Sequence, residues 1–171
     1  MKLNGIYTAL ITPYHDDYSI NEKAYAEVIN TIIEEGVHGV VVAGSTGENY
    51  TQTLEERIHL LKLSSEIIDK RVTFIAGTGG VIRTEDSIRI AQSAKSMDAD
   101  AIMISSPPYA VPTNKENAIY ATSIEQSVTL PVLLYNYPGR TSVHMDKEYL
   151  DIVSKSENFC GLYFLAKTLY S

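Results

Sequence analysis

The stretch that decides the fold is "HGVVVAGSTGEN", residues 38–49. Its first half is an apolar run, and its second half is rich in glycine and hydroxyl groups. A strand without polar alternation is buried on both faces, which is typical of a parallel sheet covered by helices. Two glycines then let the backbone turn tightly with its N–H groups exposed, and such a loop suits a carboxylate or a phosphate. We therefore expect a buried strand that ends either in an anion-binding loop or in an ordinary tight turn into the next helix.

The same alternation of strand and helix runs along the whole chain. We predict strands at 5–14, 38–44, 72–77, 101–105, 131–136 and 159–166. Between them we predict helices at 19–36, 53–69, 84–97, 113–126 and 146–156. Capping boxes at Ser19/Glu22, Thr53/Glu56 and Thr113/Glu116 would start three of these helices. The spacing of about 30 residues is that of one βα unit.

Two architectures fit this pattern, an open doubly wound sheet and a (β/α)8 barrel. A whole barrel needs about 250 residues, and this chain has 171. It supplies five βα units and a sixth strand. The fold class is therefore α/β.

Composition and charge exclude several kinds of partner. The formal net charge is -7, which argues against nucleic acid or an anionic membrane as the partner. No apolar run approaches the roughly 18 to 20 residues that span a bilayer. Cys160 is the only cysteine, so no disulfide framework is expected. The start resembles no secretory signal, which makes the cytoplasm the expected compartment. The four histidines lack metal-ligand spacing, and we assign no metal.

Polar stretches follow three of the predicted strands, at the point where each strand ends. They are "AGSTGEN" (43–49), "SSPPYAVP" (105–112) and "YNYPGRT" (135–141). Carboxyl ends of parallel strands share one edge of the sheet, so these stretches predict one site. Tyr135 and Tyr109 could relay protons there, and Arg140 could bind a carboxylate. Taken singly, each tyrosine also fits a core position and Arg140 a solvated turn.

A different chemistry is open to Ser45. "AGSTG" nearly matches the G-x-S-x-G nucleophile elbow of serine hydrolases, with alanine in the first place. A hydrolase also needs a histidine, and only His59 and His144 follow Ser45. His59 falls within a predicted helix and faces no obvious site.

Five motifs in order resemble one family. "ITPY", "GSTGE", "AGTG", "SPPYAVP" and "YNYPGRT" follow the first five strands. Together they resemble the family of dihydrodipicolinate synthase and N-acetylneuraminate lyase, over residues 1–162. The resemblance implies a (β/α)8 barrel and a homo-oligomer. It also implies class I aldolase chemistry without a cofactor, in which a lysine forms a Schiff base with pyruvate or a related 2-oxo acid.

The resemblance also implies roles for individual residues. Thr46 would hold the pyruvate carboxylate within the Gly44–Gly47 loop. Ser45, Tyr109 and Tyr135 would form a proton relay, with Tyr109 reaching across a subunit interface. Arg140 would meet a carboxylate at the entrance of the site. The second, aldehyde substrate stays open, and Arg140 favours the synthase branch.

The lysine itself is where the resemblance stops. In the family, strand six ends in Gly-(Ile/Leu)-Lys-Glu, whereas here "NFCGL" is followed by Tyr163. Lys167 lies four residues further on, about 13 Å along an extended strand. We therefore expect no Schiff-base lysine, with Lys167 as a weak substitute, and we divide the chain into a barrel part (1–162) and a divergent tail (163–171).

Three hypotheses follow. The favoured one is a truncated, inactive member of a pyruvate-dependent synthase or lyase family. The second is a non-catalytic module that binds a 2-oxo acid or pairs with other chains through its open sheet edges. The third is the serine hydrolase at Ser45. An unclosed barrel would also bury less apolar surface, so we expect marginal stability.

Overall fold

The computed structural model of this chain describes residues 3–164. Its six strands are β1 (Tyr7–Ala9), β2 (Gly39–Val42), β3 (Thr73–Gly77), β4 (Ala101–Ser105), β5 (Val132–Asn136) and β6 (Phe159–Phe164). Its six α-helices are α1 (Glu22–Glu34), α2 (Leu54–Ile68), α3 (Thr84–Ser96), α4 (Asn114–Gln126), α5 (Pro138–Thr141) and α6 (Lys147–Val153). A short 3₁₀ helix, Ser45–Gly47, follows β2. Within this part of the chain, no helix is both long enough and apolar enough to cross a membrane.

Strand order decides between the two architectures. The sheet runs β1-β2-β3-β4-β5-β6, and every neighbouring pair is parallel. A doubly wound sheet reverses its order at a switch point, and this sheet does not. The six strands form a curled, incomplete (β/α)8-type barrel with β1 and β6 at its edges. The predicted fold class is confirmed.

Apolar side chains fill two layers because successive residues of a strand point to opposite faces. The larger layer packs the outer face of the sheet against the helices, with Val40, Val42 and Ile102 fully buried. The smaller layer lines the inner face and centres on Val41, Ile75 and Ala101. Because all neighbouring strands are parallel, the carboxyl ends of the six strands lie at the same edge of the sheet.

Helix starts show where local signals suffice and where they mislead. The capping boxes at Thr53 and Thr113 are confirmed, each with both of its reciprocal hydrogen bonds. The capping box predicted at Ser19 is wrong. Helix α1 begins at Glu22, and Asn21 caps it by accepting a hydrogen bond from the Ala24 amide. Ser19 instead bonds the carboxylate of Asp17 in the preceding turn, through its amide and its hydroxyl.

This correction can be tested by a pair of substitutions. Asn21→Ala should lower the free energy of unfolding by about 1 kcal/mol because the cap is lost. Ser19→Ala should change it by less than about 0.5 kcal/mol, since an exposed turn is altered. Urea unfolding of both variants measures the difference. Equal losses of unfolding free energy in the two variants would indicate that Ser19 caps the helix.

The predicted ends of the strands differ from the observed ones. The strand predicted over 5–14 is only Tyr7–Ala9. Beyond it the chain bends away so that the Thr12 hydroxyl can reach the Gly47 carbonyl. Helix α5 was not predicted, because four residues are too few for a periodic pattern. The last strand is described as far as Phe164, and residues 165 and 166 of its predicted range lie outside the described residues.

Candidate active site at the carboxyl ends of the strands

The loop after β2 is shaped by backbone geometry. Ala43 and Glu48 adopt left-handed conformations, with φ of 53° and 58°. Between them the chain forms the 3₁₀ turn Ser45–Gly47. Gly47 is buried, and a Cβ there would lie 2.9 Å from the Leu10 carbonyl oxygen. Glycine is therefore needed at position 47 for close backbone approach.

Buried and partly buried polar side chains hold this loop by hydrogen bonds to its backbone. The Gly47 carbonyl accepts hydrogen bonds from Thr12 Oγ1 and Gln52 Nε2, both at 2.8 Å. Asn49 Nδ2 donates to the Ala43 carbonyl at 2.9 Å and to the Gly79 carbonyl at 3.4 Å. The loop after β2 is thus fixed to β1 and to the loop after β3. Such fixation before a ligand arrives lowers the cost of binding.

Sequence reasoning missed these supporting residues. Thr12 lies in "ITPY", which was noted only as a motif, and Asn49 ends the quoted "AGSTGEN" stretch. Gln52 lay in no motif that we considered. Their partners are backbone carbonyls up to 35 residues away in the chain, and no local pattern encodes such a pairing.

Tyr135 lies near the end of β5. Burial is the main influence on the pKa of its phenol and raises it. The nearby Ser45 side chain and the Arg140 charge lower this pKa. The net shift is upward. The phenol is therefore protonated at neutral pH and can donate to a carbonyl or alkoxide oxygen.

Arg140 reaches the site through a tyrosine that was not singled out from the sequence. The Arg140 guanidinium lies 5.8 Å from the centroid of the Tyr137 ring, a cation–π distance. Tyr137 meets Tyr135 edge to face, with ring centroids 6.3 Å apart. Arg140 itself is exposed, so its fork of donors is open to a carboxylate. Tyr135 and Tyr137 are two residues apart in "YNY". In an extended chain this spacing places two side chains on the same face, so it could have indicated Tyr137.

Tyr163 lies opposite Tyr135 on the neighbouring strand. The two residues are register partners in the β5–β6 pair. Their rings stack with centroids 5.5 Å apart and planes inclined by 8°. Tyr163 is 47% exposed, on the side that faces the inside of the sheet. A side chain at position 163 therefore projects directly beside the Tyr135 phenol.

The other predicted site residues are placed differently. Gly44 is buried at the start of the 3₁₀ turn, and Thr46 is exposed on it. Tyr109 does not join Tyr135, because its ring is 94% exposed and its backbone is left-handed, with φ of 69°. Lys167 lies outside the described residues. Its suggested role stays a prediction.

The hydrolase hypothesis loses one of its candidate bases. His59 Nε2 lies 2.6 Å from the Glu22 carboxylate, where α2 meets α1. This pair is on the outer helical layer and half-exposed. Ser45 acts on the pKa of the nearby Tyr135 phenol, and this phenol is protonated at neutral pH and so is not available as the base. Within residues 3–164, no group of three or more His, Cys, Asp and Glu side chains could hold a metal ion.

Comparison with known proteins agrees with this geometry. A sequence model of the dihydrodipicolinate synthetase family matches residues 2–170. The 4-hydroxy-tetrahydrodipicolinate synthase of Bartonella quintana is 37% identical over 161 residues, which cover 94% of this chain and 54% of that protein. The chain thus spans about half the length of the curated relatives it matches.

Solved structures of similar proteins show the same framework. The dihydrodipicolinate synthase of Acinetobacter baumannii, complexed with pyruvate, is 32% identical with a TM-score of 0.87, over 92% of this chain and 54% of that one. CdNal from Clostridium difficile, complexed with mannosamine, is 26% identical with a TM-score of 0.93, over 99% of this chain and 59% of that one. By the family match and the shared framework, this chain belongs to the dihydrodipicolinate synthetase family.

Proposed function

We propose that this chain carries the 2-oxo-acid-binding part of a 4-hydroxy-tetrahydrodipicolinate synthase-type site but does not form the Schiff base. The ligand would be pyruvate, the molecule bound by the Acinetobacter baumannii relative. The carboxylate would bind at the Gly44–Gly47 turn through Thr46 and the backbone. The Tyr135 phenol, whose pKa the nearby Ser45 lowers, would lie at the carbonyl.

One observation carries this proposal, the register of Tyr163 with Tyr135. In the family's pattern, a lysine follows Gly-(Ile/Leu) on strand six, and Tyr163 follows Gly161-Leu162 here. The stacked contact between the two rings supports the view that position 163 faces the reacting carbonyl. A phenol has no nitrogen with which to form an imine, so the covalent step lacks its nucleophile.

The resemblance also assigns a role to Tyr109 that this chain alone does not provide. Its ring is 94% exposed and far from completing a relay with Ser45. A second subunit would have to supply such a residue to the site, as the resemblance implies for full-length relatives. We infer that any proton relay in a single copy is limited to Ser45 and Tyr135.

Borohydride trapping tests the covalent part of the proposal. The chain is incubated with pyruvate and sodium borohydride and then weighed by intact-protein mass spectrometry. We expect no adduct, whereas the Bartonella quintana synthase treated in parallel should gain one reduced pyruvate. An adduct on this chain would contradict the proposal, and peptide mapping would show whether Lys167 carries it.

Calorimetry tests the binding part separately. The intact loop and its buried supports favour non-covalent binding of pyruvate, because the donors are already in place. We expect measurable heat with pyruvate and at least a fivefold weaker response in Thr46→Val, because the hydroxyl that would hold the carboxylate is lost. If no heat of binding is measured with pyruvate, the hypothesis of a binding module is wrong. The hypothesis of an inactive member of the family then remains.

A further inference from the structure

We infer that Ser105 is a specificity-determining residue of this site, and that it favours 2-oxo acids that carry a hydroxyl group next to the carbonyl. This role rests on the proposed function, because it takes the 2-oxo-acid site as the place of binding. Ser105 is the last residue of β4. In the sequence it stood out only as the first residue of "SSPPYAVP".

Strand register places Ser105 beside Tyr135 on the inner face of the sheet. The two residues are register partners in the β4–β5 pair, and partners in a parallel pair project to the same face. Two residues earlier on each strand, Met103 and Leu133 pack against the inner apolar layer. Because side chains alternate along a strand, Ser105 and Tyr135 also face inward. Ser105 is half-buried there.

The Ser105 hydroxyl occupies the space that a side chain at position 79 would need. A Cβ added to Gly79 would overlap Ser105 Oγ and would lie 3.2 Å from Ser105 Cβ. The glycine therefore leaves room for this hydroxyl between the loop after β3 and the Tyr135 side chain.

The hydrogen bonds of this hydroxyl determine what a ligand can offer it. A serine hydroxyl has one donor and two acceptor lone pairs. Ser105 Oγ donates to the Ser106 carbonyl at 3.3 Å, which uses its donor. Within residues 3–164, no hydrogen bond to its lone pairs is formed. A ligand that satisfies Ser105 must therefore bring a hydrogen-bond donor.

The position of the ligand indicates which donor this is. In the proposed function, the carboxylate lies at the Gly44–Gly47 turn after β2 and the carbonyl lies at Tyr135 on β5. The ends of β3 and β4 lie between these two points in the sheet, so the ligand would pass over Ser105. Pyruvate carries only acceptor oxygens and a methyl group. A hydroxyl on the carbon of that methyl group would supply the donor, and hydroxypyruvate is the smallest such ligand.

Calorimetry with three ligands tests this role on the unchanged chain. Pyruvate reports on the proposed function, and hydroxypyruvate and 2-oxobutanoate report on Ser105. The last two are matched in size, because one carries a hydroxyl where the other carries a methyl group. We expect hydroxypyruvate to bind about fivefold more tightly than 2-oxobutanoate, which is the net effect of one typical hydrogen bond.

Two serine variants assign the preference to one hydroxyl. Ser105→Ala should weaken hydroxypyruvate binding to the level of 2-oxobutanoate. Ser123→Ala is the matched control and should keep the preference. Ser123 is also a half-buried serine whose hydroxyl donates to a backbone carbonyl, and it lies on α4 in the outer helical layer. Circular dichroism of each variant checks that the fold is kept, and the ligand comparison on the unchanged chain needs neither variant.

Failure of this role and failure of the proposed function give different results. If pyruvate binds and hydroxypyruvate binds no more tightly than 2-oxobutanoate, Ser105 does not select ligands and the proposed function stands. If none of the three ligands binds, both are wrong. A preference for hydroxypyruvate that persists in Ser105→Ala belongs to another residue and also overturns the role of Ser105.

Discussion

Tyr163→Lys is expected to let this chain form an imine with pyruvate, which borohydride then traps as a stable adduct. Position 163 lies in register with Tyr135 and beside its protonated phenol. A lysine there would project to the carbonyl of a 2-oxo acid held at the Gly44–Gly47 turn. Partial burial should lower the pKa of the new amine and favour its neutral, nucleophilic form.

The measurement is the adducted fraction by intact-protein mass spectrometry over time. We expect the Tyr163→Lys variant to react at least tenfold faster than Ile119→Lys, which adds a lysine at an exposed helical position. The double variant Tyr163→Lys/Tyr135→Phe should lose most of this gain, because the phenol no longer assists at the carbonyl. Equal labelling of the lysines at 163 and 119 would show that position 163 is not at the reacting carbonyl.

Gly77→Ala is expected to destabilise the fold by about 1–3 kcal/mol, or more, because an added methyl group cannot be accommodated there. A Cβ at Gly77 would lie 2.5 Å from the Ala43 carbonyl oxygen and 3.0 Å from that of Val42. Both neighbours are backbone atoms of the adjacent strand end, so no side chain can rotate away. The Gly77 carbonyl also accepts a 3.0 Å hydrogen bond from the buried Arg57.

Arg57 adds to the expected cost at this position. Its side chain is fully buried, and burial lowers its pKa to about 10. Moving the Gly77 carbonyl would weaken the hydrogen bond that this buried cation donates to it, and an uncompensated buried charge is costly. The end of β3 is therefore constrained on both sides.

Gly44→Ala is the matched control for this prediction. A Cβ at Gly44 would have its nearest neighbour, Val41 Cγ1, at 3.8 Å, an ordinary contact. Its backbone is extended, with φ of -79° and ψ of 179°, which alanine adopts freely. We expect a urea midpoint close to that of the unchanged chain. If Gly77→Ala unfolds at the same urea concentration as Gly44→Ala, the strand ends are less tightly packed than described.

The sequence was sufficient for features that depend on neighbouring residues. The apolar run at 39–42 predicted a buried parallel strand, and β2 is buried at every position. The reciprocal Thr53–Glu56 and Thr113–Glu116 pairs located two helix starts, because a capping box is closed within four residues. The same pattern failed at Ser19, where Asp17 offered a competing partner. A local rule predicts well only when no nearby group competes.

The sequence indicated candidate residues for the site, but it did not indicate which of their side chains contact one another. Ser45, Tyr135 and Arg140 were expected at one edge of the sheet, and each of Ser45 and Arg140 affects the Tyr135 phenol. Tyr109 was expected to join the relay across a subunit interface, and in a single copy it is exposed; its role stays a prediction. Thr12 and Gln52 were not expected, although they fix the Gly47 carbonyl. Which side chains meet depends on strand register and loop geometry, and short motifs do not encode either.

By itself, the sequence determined the alternation of strands and helices and the family motifs, and it gave the expectation that Tyr163 stands in the place of the family's lysine. These are properties of residue identity and of short spacings. Only the tertiary structure decided that the strands run in sequential order and that Tyr163 stacks on Tyr135. It also decided that uncharged strands form both edges of the sheet. Contacts between residues 28 positions apart, such as these two tyrosines, arise from the pairing of whole strands, which side-chain periodicity alone does not specify.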